Sequence, residues 1–368
     1  MRPRLSTGSR GSSGPSGAGG RSGGRSRSAC RSCSRSACGP ASARRPATSP
    51  AQETPRRSSS AGSWTSNVSP SAEGTAPRAS VVVPAYHSDS TIGAFLDGLR
   101  AQTFEDFEAI VVNSSQEERT ARIVAERFPA ARFEQSPERL LPHAARNRGV
   151  ELARGRLLVF TDPDCVPAPD WLATLVAASE RGNDVVAGAM DLIGATAYER
   201  ATHLCKFAHW LPGGDEGPRT IAPTANALYT RDVWESVGPF RGDSFSSDAL
   251  HSWEAAARGF QPWFEPNAVV SHRHAGNLRS LMRERRIRGE DFARLRADRE
   301  GRSRAWAAAH LAVLPAIPLL ELGRVGRSAV SSGWGQAFVR TAPLQLAVNA
   351  AWALGEARTH TRMLLGRR

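Results

Sequence analysis

Apolar runs, polar turns and helically spaced segments alternate along this chain, and the pattern begins abruptly at residue 79. In "ASVVVPAYHSDSTIGAFLDGLRAQ", residues 80–83 read as a short buried strand that Pro84 closes. Ile92, Phe95, Leu96 and Leu99 then fall at helical spacing, with Asp89 and Ser90 placed to cap the helix. "FEAIVVNSSQEERTARIVAERF" repeats the scheme, with a strand over 108–112, a polar turn and a helix from about 117. In "HAARNRGVELARGRLLVFTDPD" a helix ends near Gly155 and a strand follows over 156–160. Farther on, "VVAGAMDLIG" predicts a strand and "ANALYTRDVWESVGPF" a strand then a helix. "SDALHSWEAAARGF" predicts a helix stopped by Gly259, and "QPWFEPNAVVSHRH" a short strand pair ending in two histidines. Residues 279–304 read as a strongly basic helix.

Strands alternating with helices predict an α/β fold, a parallel sheet with helices on both faces. Ligands of such sheets bind beyond the carboxyl ends of the strands. Tyr86, Asn113 and Asp162 all fall at such ends, so three polar groups are expected on one rim.

Two moderately apolar stretches, 305–320 and 337–355, close the chain. Pro315, Pro318, His310 and Arg340 interrupt them, and neither offers the roughly 20 uninterrupted apolar residues of a membrane span. Interfacial or re-entrant helices, with adjacent Arg drawn to anionic headgroups, are the expectation; an ordinary helical hairpin covering the core is the alternative.

Charge sharpens this division. The 368 residues carry a net charge of +13, which invites a nucleic-acid reading. The first 78 residues hold 13 Arg against 2 Glu, whereas residues 79–278 hold 18 basic and 26 acidic side chains. The folded middle is therefore acidic and nucleic acid is not an expected partner for it. Residues 1–78 have almost no large apolar side chains, so they are expected to be a disordered tail. Cys30, Cys33 and Cys38 lie in that tail with no second Cys pair and no nearby His, so neither a zinc knuckle nor a disulfide framework is expected. No apolar run at the N-terminus has the form of a signal peptide, and a reducing cytoplasmic setting is the simplest expectation.

The stretch "LLVFTDPDCVPAPDW" carries the chemistry. A buried strand runs into Asp162 and Asp164, two carboxylates one residue apart at a turn. A divalent cation between them resolves their repulsion, and Mg²⁺ or Mn²⁺ prefers such oxygen ligands together with substrate phosphates. A solvated acidic loop is the bland reading of the same residues.

The order of segments resembles family 2 glycosyltransferases. "SVVVPAYHSDSTIGAFLDGLRAQTFEDFEAIVV" is similar to that family's first strand–helix–strand unit. "AARNRGVELARGRLLVFTDPDC" is similar to its approach to the D-x-D element, and "ANALYTRDVWESVGPF" to its acceptor-side segment. The resemblance covers about residues 79–290 and implies a GT-A fold with a mixed, mostly parallel sheet. Together with the composition of the two ends, it gives the expected domains 1–78 (tail), 79–278 (GT-A transferase) and 279–368 (basic helix and two apolar, membrane-associated helices).

It further implies an inverting transfer of a sugar from a nucleotide-sugar donor to a glycan or lipid-linked acceptor hydroxyl. The expected setting is the inner face of a cell membrane, in cell-envelope glycan or glycolipid synthesis. Pro84, Ala85 and Tyr86 match residues that border the nucleotide base, and Asn113 stands where the family carries an acidic base contact. Arg146 and Asn147 are candidates for a ribose or phosphate, and Asp162 for the donor. Asp162, Asp164 and His272 are the implied metal ligands. Asp248, 11 residues before Gly259, is the implied general base, with Asp243 as the other candidate. Only one of His272 and His274 is expected to reach a metal; His274, Arg283, Arg286 and Arg288 are placed to approach a phosphate. Trp253 and Trp263 offer a sugar face or core packing, and Cys165 a buried filler.

Two other readings stand beside this one. A nucleotidyltransferase would want a Gly-rich, basic loop after the first strand, and "PAYHSDST" has neither Gly nor Lys or Arg. A degenerate transferase domain with an Arg-rich nucleic-acid-binding arm would explain Asn113 and the Ser247 that precedes Asp248.

Overall fold

In the computed structural model, which describes residues 76–194 and 196–366 and the backbone of 65–67, one mixed sheet organises the chain. Its strands are β1 (Thr65–Asn67), β2 (Ala79–Ala85), β3 (Phe107–Asn113), β4 (Arg132–Gln135), β5 (Leu157–Thr161), β6 (Cys165–Pro167), β7 (Val185–Ile193), β8 (Gly217–Pro218), β9 (Asn226–Thr230) and β10 (Trp263–Arg273). They lie in the order β1-β4-β3-β2-β5-β9-β7-β10-β6, with β8 paired to β10. The β4-β3-β2-β5 run is parallel, as is β7-β10, whereas β9 runs antiparallel between β5 and β7. Helices α1 (Ile92–Arg100), α2 (Arg119–Arg127), α3 (Pro142–Leu152), α4 (Trp171–Glu180), α5 (Ala197–Phe207), α6 (Arg231–Val237) and α7 (Ser247–Ala257) connect the strands. Beyond them come α8 (Leu278–Glu300), α9 (Arg304–Val313), α10 (Ile317–Ser331) and α11 (Gly335–Leu364).

Every residue of β2 is buried, as expected of a strand covered on both faces. Ile92, Phe95, Leu96 and Leu99 bury the inner stripe of α1 on one side of the sheet. On the other side Ile110, Val112, Leu158 and Phe160 meet Tyr229, Val233 and Phe240.

Several local expectations are corrected. Pro84 does not end its strand. The ladder to β5 stops at Val82, but that to β3 runs on to Ala85, so one open side accommodates a residue without an N–H. Asp89 and Ser90 do not cap α1; Asp89 pairs with Arg119, and Thr91 occupies the N-cap position without a side-chain cap bond. The segment 263–273 is one long strand with an irregularity between Glu265 and Val269 rather than a strand pair. The tail contributes the edge strand β1, antiparallel to β4; the rest of the disorder expectation, with Cys30, Cys33 and Cys38, lies outside the described residues. Pro315 and Pro318 do not break the C-terminal apolar run. They fall in a single 3₁₀ turn and the first turn of α10, positions where a missing N–H costs little, so 304–331 is one helical stretch.

Helices α8 and α11 cross closely at two glycines. A Cβ on Gly289 would stand 2.3 Å from the Trp352 carbonyl oxygen, and one on Gly355 would stand 2.1 Å from that of Arg286. This approach fixes where Arg285, Arg288 and Trp352 project.

Candidate functional site

A cavity of about 540 Å³ opens at the carboxyl ends of β2 and β5. Pro84, Tyr86, Arg146, Asp162, Asp164, Asp248 and His272 all line it, although they come from five separate segments.

The acidic turn is built by hydrogen bonds of the main chain. The Cys165 N–H donates to the Asp162 carbonyl at 3.1 Å, and the Arg273 N–H to that of Asp164 at 3.0 Å. Antiparallel pairing of β6 with β10 sets His272 opposite Cys165. This brings His272 Nε2 to 3.6 Å from Asp164 Oδ2. The ligand atoms of Asp164, Cys165 and His272 lie within 4.8 Å of one another. Burial, and then the neighbouring Asp162 carboxylate, push the Asp164 carboxyl up to about 7. Asp162 has its own counter-ion: the buried Arg146 guanidinium of α3 bonds it directly and also reaches the Thr224 carbonyl at 3.4 Å.

Burial lowers His272 to about 4, so the ring is neutral and offers a lone pair. Carboxylate oxygens with one imidazole suit a divalent cation such as Mn²⁺ or Mg²⁺. The Cys165 thiol is a poor ligand by comparison, because burial raises it well above the usual thiol range and keeps it protonated.

Asp248 stands in the first turn of α7, where the helix dipole favours a carboxylate. Its Oδ1 accepts from the Ala249 N–H at 2.9 Å and its Oδ2 from the Thr224 N–H at 3.4 Å. About a fifth of the side chain, 22%, remains open. Burial raises its pKa against the pull of Arg146 and Arg288, which makes it a stronger base. His143 Nε2 lies 4.0 Å away, but burial and Arg146 hold that ring far below its ordinary pKa, so it stands neutral beside the carboxylate.

The loop before α7 is anchored from α8. Asp291 Oδ2 accepts from the Ser244 hydroxyl at 2.7 Å, the Phe245 N–H at 3.1 Å and the Ser246 N–H at 3.0 Å. Nothing in the local sequence pairs Asp291 with this loop, and it was not among the sequence candidates.

Other expected residues stand elsewhere. Asn113 is fully buried outside the cavity lining; its amide donates to the Ser115 carbonyl at 3.0 Å and Gln135 Oε1 at 2.8 Å, so it braces the β3–β4 edge. Asn147 exchanges two hydrogen bonds with the Phe240 backbone, at 2.8 and 3.0 Å, rather than facing a ligand. Ala85 is buried and accepts from the Ser114 N–H at 2.9 Å. Asp243, the alternative base, is exposed, pairs with Arg241 and does not line the cavity. His272 and His274 share a face, with ring centroids 4.5 Å apart, because side chains two residues apart on a strand point the same way. His274 meets His203 at 3.2 Å and burial drives it to about 2, so it is a packed neutral ring rather than a phosphate contact. Arg283 and Arg286 are exposed and outside the lining, whereas Arg288 lines it, joined by Arg285 and Lys206. Trp253 and Trp263 do not line it; Phe245, Phe292 and Trp352 do. Lys206 is the single lysine of the chain, and that rarity was the one sequence signal available for it.

A mixed, mostly parallel sheet with an acidic strand-end turn, an imidazole beside it and a carboxylate on a following helix defines the GT-A class of nucleotide-sugar folds. The mannosyltransferase PcManGT of Pyrobaculum calidifontis, solved in complex with GDP-Man and Mn²⁺, shares this fold with a TM-score of 0.54 over 80% of this chain and 89% of that one, at 22% identity. The family model for glycosyl transferase family 2 matches residues 80–240. Glycosyltransferase AglE of Haloferax volcanii is 30% identical over 210 residues, 54% of this chain and 67% of that protein. The amylovoran biosynthesis glycosyltransferase AmsB of Erwinia amylovora is 36% identical over 90 residues, 23% of this chain and 30% of that protein. The chain belongs to the family 2 glycosyltransferases and is a glycosyltransferase.

Proposed function

We propose that this protein is a metal-dependent, inverting transferase that moves a sugar from a nucleotide-sugar donor to an acceptor hydroxyl. The observation that carries the reading is the convergence of Asp162, Asp164, His272 and Asp248 on one cavity. Asp164, His272 and Asp162 would hold Mn²⁺ or Mg²⁺, which supplies charge to the leaving diphosphate. Tyr86 and Pro84 would border the nucleotide, and Arg146 would hold Asp162 in place. The acceptor oxygen forms a bond to the anomeric carbon as the bond to the nucleoside diphosphate breaks on the opposite side. The hydroxyl proton passes to Asp248, and the diphosphate leaves with the electron pair.

In this reading the chain divides into a tail over 1–78, a transferase domain over 79–278 and a C-terminal arm over 279–368. The arm would rest on the inner face of a cell membrane, and the product would be a cell-envelope glycan or glycolipid. Support comes from the stretch 304–331, whose most apolar 18-residue window has a mean hydropathy of 1.5 and is only 17% buried, and from Val313, Leu319, Leu320 and Val330, all more than half exposed.

A thermal-shift screen with nucleoside diphosphates, with and without Mn²⁺, tests the reading, because a ligand of the folded state raises apparent stability by mass action. One nucleotide should stabilise the protein strongly and only with metal. A flat response to every nucleotide would remove the donor assignment.

A further inference from the structure

The wall of the cavity made by α5 and α8 holds more positive charge than the donor reaction requires. Leaving aside the Arg146–Asp162 pair, four cations line the cavity: Lys206, Arg273, Arg285 and Arg288. Three carboxylates face them. Asp164 and Asp248 line the cavity, and Glu284 bonds Lys206 Nζ at 3.0 and 3.1 Å and Arg288 Nε at 2.9 Å. A divalent ion and the diphosphate of a nucleotide sugar carry opposite charges of equal size, so loading the donor leaves the surplus in place.

The surplus sits beside the proposed base. Arg285 lies over the Trp352 ring at 4.4 Å, and its guanidinium has no hydrogen-bond or ionic partner among the described residues. Arg288 approaches the Phe245 carbonyl at 3.5 Å, three residues before Asp248, and its field acts on Asp248. Holding these charges is costly: burial lowers the pKa of both Lys206 and Arg285. A buried cation is tolerated when an anion meets it, and guanidinium forks match phosphate oxygens. Phe245, Phe292 and Trp352 add an apolar wall next to the same groups.

Building on the transferase reading above, we propose that the acceptor carries a phosphate group close to the hydroxyl it presents, and that Arg285 and Arg288, with Lys206 steadied by Glu284, bind that phosphate. The phosphate takes no part in bond making; it orients the acceptor toward Asp248. Its source is either a soluble sugar phosphate or a phosphate on a membrane lipid.

The test uses the full chain in the presence of a chelator, so that no metal-held diphosphate contributes. Calorimetric binding of glucose 1-phosphate and farnesyl phosphate is compared with that of glucose and farnesol. At least one phosphate should bind about tenfold more tightly than its uncharged counterpart, the scale of one charged hydrogen bond. Tight glucose 1-phosphate assigns the soluble source and tight farnesyl phosphate alone assigns the lipid source. Arg285→Gln and Arg288→Gln should each weaken phosphate about tenfold while Mn²⁺-dependent nucleoside diphosphate binding changes by less than about threefold. Arg285→Gln removes a cation without a partner among the described residues and should melt no lower than the parent, whereas Arg288→Gln also gives up the ion pair with Glu284, so its folding is checked by its melting temperature. Equal binding of charged and uncharged probes, or phosphate binding indifferent to both substitutions, overturns the proposal. An equal loss of nucleotide binding also overturns it, because the cluster would then serve the donor. Failure of nucleotide binding in the parent protein alone would strike the transferase reading and leave the phosphate measurement intact.

Discussion

The sheet core and the C-terminal helices solve opposite packing problems. In the core, apolar side chains such as Val81, Val82, Ile110 and Phe160 are buried and polar groups lie at strand ends. In α11 the buried positions include Thr341, Gln345, Asn349, Glu356, Thr359 and His360. On the outside of the same arm Val313, Leu319, Leu320, Val330, Val339 and Leu354 are more than half exposed. Apolar-out, polar-in is the wrong arrangement for water, since contiguous exposed apolar surface marks an interface. The contrast teaches that apolar character alone does not place a side chain inside, and it supports the proposed membrane contact of the arm. It also shows that the arm is part of the site, because α8 supplies Arg285, Arg288 and the Asp291 anchor.

Substitutions can break this contrast from either side. Asp248→Asn should lower transfer by about 10²–10⁴-fold, the usual worth of a positioned base, while nucleoside diphosphate binding with Mn²⁺ persists; transfer and thermal-shift assays read the two separately. Asp164→Ala should instead abolish the metal-dependent part of nucleotide binding. On the arm, Leu319→Glu with Leu320→Glu should weaken sedimentation with anionic vesicles by more than about tenfold, since each Leu withdrawn from lipid forfeits roughly 1.5–3 kcal/mol. Transfer to a soluble acceptor should hardly change in that variant.

A change at the seam should touch both regions. Asp291→Ala frees three donors of the 244–246 loop and should slow transfer by about tenfold, with nucleotide affinity unchanged and with a shifted pH profile, because the loop sets the start of the base helix. Asp291→Asn, which keeps an acceptor, should recover part of the rate. Gly355→Ala should lower the melting temperature by the equivalent of about 1–3 kcal/mol through the overpacked α8–α11 crossing.

The smallest effect concerns pH. Asp164 is raised to about 7 in the fold, above its ordinary value of 3.8, so the folded state binds the extra proton between those values. This group therefore favours the fold at low pH, and its contribution is lost as pH rises from about 4 through about 7. A cation that needs the ionised carboxylate reverses the loss. Mn²⁺ should therefore raise the melting temperature more at pH 8 than at pH 5.5, by thermal denaturation with and without metal.

Much of the core was legible because its signals are local. The run of apolar residues before Pro84, the stripe of Ile92, Phe95, Leu96 and Leu99, and the strand entering Asp162 each state their structure within ten residues. The positions of Tyr86 and Asp162 followed from strand ends and that of Asp164 from the acidic turn, whereas Asp248 was implied only by the family resemblance. Long-range partners were not legible. Asn113 and Asn147 read as polar groups free for a ligand, but Gln135 and the Phe240 backbone, 22 and 93 residues away, take their hydrogen bonds. Only one of His272 and His274 was expected to reach a metal, and Lys206 carried no local signal of the Glu284 and Arg288 that stand beside it.

The sequence by itself determined the alternation of strands and helices, the acidic turn and the division of charge between middle and ends. Those depend on the spacing of side chains along a few turns or pleats, which the chain writes directly. Only the tertiary structure decided which carboxylates share a cavity, which polar groups are already satisfied and which cations are left without a partner. Satisfaction and charge balance are properties of contacts between distant segments, and no local pattern encodes them.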